Sequence, residues 1–452
     1  MEATLNAHDA WRTESEIHGE RQRELSQCLE IKSDIKQGIY PFKDIKLTRA
    51  DVEWLLATHE SGGGPVNWSD ERQRERMGID LRGADLRTVN LSNLPLTRIR
   101  GGLNWDQWRR ATLEEREMAA VHMERANLSN VHLEGAILQG AHLEEADLRN
   151  AHLEEAKLYG AYLKNAYLRD AHLEGARLGD THFEGARLAN AHFEGADLRG
   201  AFLDGGTDLV GVSLGNEKSG CALLADVHWS DANLSLVNWT SARKLGDENE
   251  AHHRERHWRK QTAKEKAGRL DDYQTAARAY RQVANAMRAQ GMDTEAIHFA
   301  YRAHVLQRKV LWRQVRWGQV ESLQNNTQRK VIWEQVQDFG WRVQKLGSLV
   351  FSWILFLLAG YGYRPWRSIM AYLVIIFSFM GLYLLNAHFV TPHLGWDEAL
   401  VLSVSSFHGR GFFSQNIMLG DTYARLAAAE AVVGLFIEIS FIATFTQRFF
   451  GR

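Results

Sequence analysis

The sequence predicts a multi-domain membrane protein: a square β-solenoid, an α-helical connector and a C-terminal helical membrane domain. Three observations carry this prediction. Residues 126–205 repeat with a period of five. Residues 247–343 are charged, aromatic and helical in their spacing. Ser368–Ala387 runs for twenty residues without a charge, enough at ~1.5 Å per residue for ~30 Å of hydrocarbon.

The totals bound the rest. At 452 residues the chain has room for two or three domains with their own cores. A formal net charge of −2 supplies no field that would draw nucleic acid. Cys28 and Cys221 are the only cysteines, which fits a reducing setting for the soluble part. The first residues lack a basic stretch followed by an apolar run, so no secretory signal is expected. Residues 1–78 read as mainly helical or irregular.

From Ala126 the chain reads ANLSN VHLEG AILQG AHLEE ADLRN, and it continues in this manner to AFLDG. Leu or Phe falls at every fifth position from Leu128 to Leu203, with a small residue, nearly always Ala, two places before it. This period fits neither the 3.6 of a helix nor the 2 of a strand. It fits a square coil with one pentapeptide per side, the small residue and the Leu pointing in. The pattern resembles the pentapeptide-repeat family, and the resemblance implies a right-handed quadrilateral β-helix with four pentapeptides per coil. A first run at 79–93, IDLRG ADLRT VNLSN, stands out of phase with the main one. A helical insertion at about 97–120 is expected between them, with Thr112 and Glu115 spaced as a capping box. After Leu203 the phase slips by one residue at DGGTDL and resumes weakly through Leu209, Leu214, Leu234 and Trp239. The β-helix is expected over 79–244, roughly seven coils and ~30 Å long at ~4.8 Å per layer.

With twenty residues per coil, His132, His152, His172 and His192 fall on one face, and Glu134, Glu154, Glu174 and Glu194 beside them. His142 and His182, with Glu144 and Glu184, take the opposite face; Arg149 and Arg169 share a third. Imidazoles at strand spacing beside carboxylates can sense pH or bind a divalent metal. The plain alternative is solvated columns left by duplication of HLEGA units, because metal sites need converging ligands. Some soluble members of that family mimic DNA with an acidic rod. Residues 121–244 hold 18 Asp and Glu against 11 Lys and Arg, a thin excess for that role.

Residues 245–346 read as a helical connector. Tyr273, Ala276, Ala277, Tyr280, Val283 and Met287 fall at helical spacing; Gly291 stops that helix, and Asp293 or Thr294 starts the next. The pair loosely resembles a tetratricopeptide-like hairpin. Trp312, Arg313, Arg316 and Trp317 suit a helix nearing a membrane surface.

Residues 347–363 are apolar but short and are read as an interfacial slide segment. That placement keeps Lys345, Arg364, Arg367, Arg448 and Arg452 on one, cytoplasmic side. The spans are then 368–387 and 423–445, the second containing Glu430 and Glu438. The N-terminal domains and the C-terminus lie in the cytoplasm, and the membrane is the inner or plasma membrane. Between the spans, Trp396–Ser405 is apolar, helical in propensity and too short to cross. Backbone that dips to that depth and returns must be covered by protein or water.

A span, a short helix at 396–405, a glycine-bearing segment at 405–413 and a second span resemble, across 364–452, the two-helix pore-loop domain of potassium-channel type. That family forms tetramers whose filter, TVGYGD, replaces the ion's water with backbone carbonyls. The resemblance implies a filter of Ser405, Ser406, Phe407, His408, Gly409, Arg410, Gly411 and Phe412. Both glycines survive, but Phe407 stands for Thr, His408 for Val, Arg410 for Tyr and Phe412 for Asp. Potassium selectivity therefore does not carry over. Gly434 falls where that family's inner helix often hinges.

Arg410 has three readings. Its guanidinium faces the axis and favours anions, or it pairs with Glu430 or Glu438, or the loop has decayed and only anchors the rod. An unpaired guanidinium at membrane depth costs roughly 3 kcal/mol or more, which favours pairing. The expected function is a membrane ion-channel subunit, a homo-oligomer and by the resemblance a tetramer in the lipid bilayer, passing an ion of either sign. Its cytoplasmic rod gates or localises it by taking a protein partner or ligand. The alternative is a non-conducting, membrane-anchored scaffold whose rod binds other proteins. No phosphate loop, nucleophile elbow or convergent metal-spaced cluster occurs, so neither an enzyme nor a cofactor is expected. No nucleic-acid partner is expected either.

Overall fold

The computed structural model describes residues 11–216, 220–257, 263–317, 332–360, 365–387, 394–409 and 422–449. The chain forms two compact units, Met1–Arg259 with Asp271–Phe299 and Lys260–Leu270 with Ala300–Arg452.

In the first unit, backbone sterics at the corners set the coil. Every fifth residue from Arg125 to Gly200 has φ between +52° and +75°. Thirteen of these sixteen corners are Gly, Asn or Asp, the residues for which left-handed backbone is least costly. The turns stack each side on the one twenty residues later, so His132 pairs in parallel with His152, and His152 with His172. The inward Leu and Phe side chains of 128–203 are at most 6% exposed.

The rungs begin earlier than the sequence implies. One face carries eight of them, from Lys46, which pairs with Asp85, to His228. Residues 1–78 thus supply the first rung as well as α1 (Gly19–Leu29) and α2 (Arg49–Gly62). Thr48 and Asp51 close a capping box on α2. Buried Arg49 bonds Glu53 and donates to the carbonyls of Asn90 and Ser92, which holds this end cover on the coil.

The insertion is shorter than 97–120. Ile99 and Leu103 are fully buried and Arg100 pairs with Ile137, so the wall runs on to residue 103. Asp85 and its partner His122 are 37 residues apart where later partners are 20 apart, an excess of 17. Helices α3 (Trp105–Arg110) and α4 (Leu113–Ala119) fill the excess, each opened by a capping box, Asn104 with Gln107 and Thr112 with Glu115. Downstream, Arg187 pairs with Asp208, one residue out of register, and Asp197 pairs with Leu223, five further. The antiparallel pair of β1 (Gly215–Asn216) and β2 (Gly220–Cys221) lies within this excess.

α5 (Gly246–His257) and the part of α6 (Ala263–Ala289) from Asp271 cover the far end. The stripe Tyr273, Ala276, Ala277, Tyr280, Val283 and Met287 is fully buried. Tyr280 Oη donates to Glu248 Oε2 at 2.8 Å and accepts from Leu245 N–H at 2.9 Å.

The second unit takes α7 (Asp293–Trp317) from Ala300, with α8 (Ile332–Ala359), α9 (Pro365–Ala387), α10 (Trp396–Phe407) and α11 (Thr422–Phe449). α10 sits between α9 and α11. Tyr383, Ala399, Leu402 and Tyr423 form one cluster there, and Ile376, Phe407 and Ile437 another. Residues 347–359 of the expected slide segment are the second half of α8, one helix from Ile332, which stops at Gly360 with φ +53°; residues 361–363 lie outside the described residues. Arg313 is buried, not snorkelling, while Trp312 is half exposed; the side chain of Trp317 lies outside the described residues. Within α9, Trp366–Ala387 is long and apolar enough to cross a membrane, and 17% of its most apolar stretch is buried. Large apolar side chains of α9 and α11 point outward, among them Phe377, Leu385, Phe436 and Ile442 at 60–62% exposure.

Candidate functional site

Glu430, Gly434 and Glu438 recur every fourth residue on α11 and so share a face, which runs along α10. The carboxylate of Glu430, wholly buried, accepts from Tyr383 Oη at 2.8 Å and from Ser403 Oγ. Four residues on, a Cβ on Gly434 would stand 2.1 Å from the carbonyl oxygen of Phe407. Another turn on, the Glu438 carboxylate pairs with His408 Nδ1, and Tyr372 Oη lies 3.3 Å from His408 Nε2. Ser405 Oγ returns to Leu402 O at 3.0 Å, Ser406 is buried, and Gly409 turns with φ +67°.

This seam joins the expected filter residues 405–409 to the expected inner-helix residues, within one chain. Within the chain, Glu430 is held by two hydroxyls and Glu438 by an imidazole. Gly434 lets the backbones of α10 and α11 approach closely at this point. Arg410, Gly411 and Phe412 lie outside the described residues, and with them the three readings of Arg410. Tyr383 and Ser403 were missed at the level of sequence; their only signal is a hydroxyl on an otherwise apolar helix.

On the rod, imidazole rings stack at 4.7 Å from His132 to His152, 4.9 Å to His172 and 5.1 Å to His192. The opposite face has a longer ladder than the histidines alone suggest. His122, His142, Tyr162, His182, Phe202 and His228 stack at 4.5–5.1 Å, since any flat ring fits the column. His142 is held by Glu144 at Nδ1, 3.4 Å, and by Glu117 of α4 at Nε2, 2.9 Å. Burial disfavours its proton, but the two carboxylates outweigh burial and raise its pKa.

Two grooves flank the insertion. One, about 630 Å³, lies between α3, α4 and the ring ladder and is lined by Trp105, Leu113, Arg116, Tyr162, His182 and Phe202 among others. The second, about 850 Å³, runs from Trp105 and Tyr159 to α5 and mixes Arg177 and Arg199 with Asp180 and Glu250.

The family model for pentapeptide repeats matches residues 126–165 and 166–205, in eight copies. No curated protein matches the chain. Among solved structures, a pentapeptide repeat protein from the cyanobacterium Cyanothece 51142 is 26% identical, over 33% of this chain and 91% of its own, at a TM-score of 0.21. A pentapeptide repeat protein from Nostoc PCC 7120 is 30% identical, over 20% of this chain and 83% of its own, at a TM-score of 0.19. HetL, a pentapeptide repeat protein involved in heterocyst differentiation regulation in Nostoc sp. strain PCC 7120, is 18% identical, over 40% and 79%, at a TM-score of 0.15. With the inward Leu column, the left-handed corners and the twenty-residue rungs, the repeat match places residues 126–205 in the pentapeptide-repeat family, the rod they form a right-handed β-helix.

Proposed function

We propose that the chain is a membrane-anchored, non-conducting and non-catalytic scaffold whose rod binds other proteins along its flanks. The observation that carries this reading is the state of the rod: helices pack over both ends while the long flanks stay open. An end-covered solenoid cannot grow by stacking, so binding falls to its sides. Anchoring rests on α9 and on the apolar side chains that α9 and α11 turn outward. In this reading the chain sits in the inner or plasma membrane, with the N-terminal domains and the C-terminus cytoplasmic.

A homotetrameric channel is the second reading, favoured by the wedging of α10 between α9 and α11 and by the turn at Gly409. Reconstitution into liposomes separates the two. The scaffold stays with the lipid through an alkaline wash and passes no ions in either direction of a salt gradient. Sustained ion flux overturns the scaffold and supports the channel, and release by the wash overturns both.

A further inference from the structure

We infer that the rod binds one divalent transition-metal ion at Glu174, His192 and Glu194, where the imidazole column ends. One ligand atom from each of the three lies within 4.8 Å of the others. In the coils below, each Nδ1 is bonded to the glutamate two residues on, at 2.8 Å for His132, 3.1 Å for His152 and 3.3 Å for His172. His192 breaks the pattern. Its Nδ1 stands 3.6 Å from Glu194 Oε1, too far for a hydrogen bond. That separation is close to the ~3.3 Å between two ligands of one tetrahedral ion bound at ~2.05 Å.

The carboxylates point the same way. The Oε2 atoms of Glu174 and of the partly exposed Glu124, Glu144, Glu154 and Glu184 are all unpartnered, and Glu194 stands apart because its unpartnered Oε2 belongs to a residue only 5% exposed. A buried carboxylate oxygen with no donor of its own is costly to hold unless a cation balances it. Ser213 Oγ donates to Glu194 Oε1 at 2.6 Å and fixes the carboxylate from behind, as the partners of metal ligands do. The triad one coil below, Glu154, His172 and Glu174, has its imidazole already bonded to Glu174.

The sequence explains why the site falls here. The one-residue slip at 204–207 brings Ser213, in place of Val212, onto the rung after His192. The ring column stops, and a hydroxyl is left to orient the last glutamate. One imidazole and two carboxylates, with water in the fourth position, suit zinc or cobalt better than calcium or magnesium.

The test uses full-length protein, stripped with a chelator and titrated with Co²⁺, then with Zn²⁺ in competition. One Co²⁺ per chain is expected, with visible absorption bands that Zn²⁺ abolishes. His192→Ala and Glu194→Gln each weaken Zn²⁺ binding at least tenfold, and Ser213→Ala weakens it about tenfold with all three ligands intact. His182→Ala, in the opposite ring column, leaves binding unchanged. Absence of saturable uptake, unchanged affinity in Glu194→Gln, or an equal loss in His182→Ala overturns the site. Should His192→Ala unfold the coil, Glu174→Gln and Ser213→Ala carry the same test.

Discussion

Gly185 tests whether the corners choose their residues. It sits at φ +71°, and a Cβ there would stand 2.2 Å from Asn165 Oδ1, the movable end of a side chain in the coil before. Left-handed backbone costs an L-residue ~1–2 kcal/mol, while the stiffer unfolded chain returns ~0.4–1 kcal/mol. Turning Asn165 aside adds ~0.5–1 kcal/mol. Gly185→Ala is therefore expected to lose about 1–2 kcal/mol, a fall of ~3–6 °C in melting temperature for a unit of this size. Gly185→Asn presents the same Cβ but tolerates the left-handed corner and can donate to Asn165 Oδ1, as Asn190 Nδ2 donates to Asp170 Oδ1 at 3.0 Å. It should lose less than half as much. Glu155, one of three corners that are not Gly, Asn or Asp, should gain ~0.5–1 kcal/mol on Glu155→Asn. Thermal unfolding of the full chain in detergent, followed by far-ultraviolet circular dichroism, reads all three. The reasoning fails if Gly185→Ala melts with the parent, or if Ala and Asn are equally harmful.

Leu153, 1% exposed in the inward column, should cost ~2–5 kcal/mol on Leu153→Ala, read as earlier proteolysis of the rod. Gly434→Ala gains ~1 kcal/mol of helix propensity but sets a methyl against the Phe407 carbonyl. A lowered melting point supports the packing role, and an unchanged or raised one restores the hinge. Burial pushes Asp247 up from 3.8 to about 6. Its folded pKa exceeds the unfolded value, so stability falls as pH rises from about 4 to about 6, by on the order of 3 kcal/mol. Asp247→Asn, which still accepts from Leu224 N–H, should flatten that slope and melt higher at pH 7.5; an unchanged pH profile contradicts it. His142, with its raised pKa, stabilises the docked α4 below about pH 6.5 and loses that contribution as pH rises through its folded value. Glu117→Gln should remove part of this pH dependence, measured as protease sensitivity of 104–119.

What could be read from the sequence follows from what each residue packs against. A Leu of the repeat is surrounded by copies of itself from the coils before and after, so its spacing alone fixes its neighbours, and the rod over 126–203 was legible to the residue. The first rung at Lys46 was not, because a single side repeats nothing. The wall at 94–103 was hidden for a related reason: Leu94, Leu96 and Ile99 keep the inward volume, but Gly101 takes the central Leu position, where a Cβ would meet Val121 and Leu138. The seam of α10 and α11 lies at the other extreme. The spacing of Glu430, Gly434 and Glu438 gave their common face and could not give what faces it, since unlike helices share no period. Tyr383, Ser403 and His408 supply the partners from two other helices. The sequence offers Arg410 as a partner for these carboxylates, whereas in the folded chain two hydroxyls and an imidazole bond them. The function inferred from that face therefore depends on contacts that only the folded chain specifies.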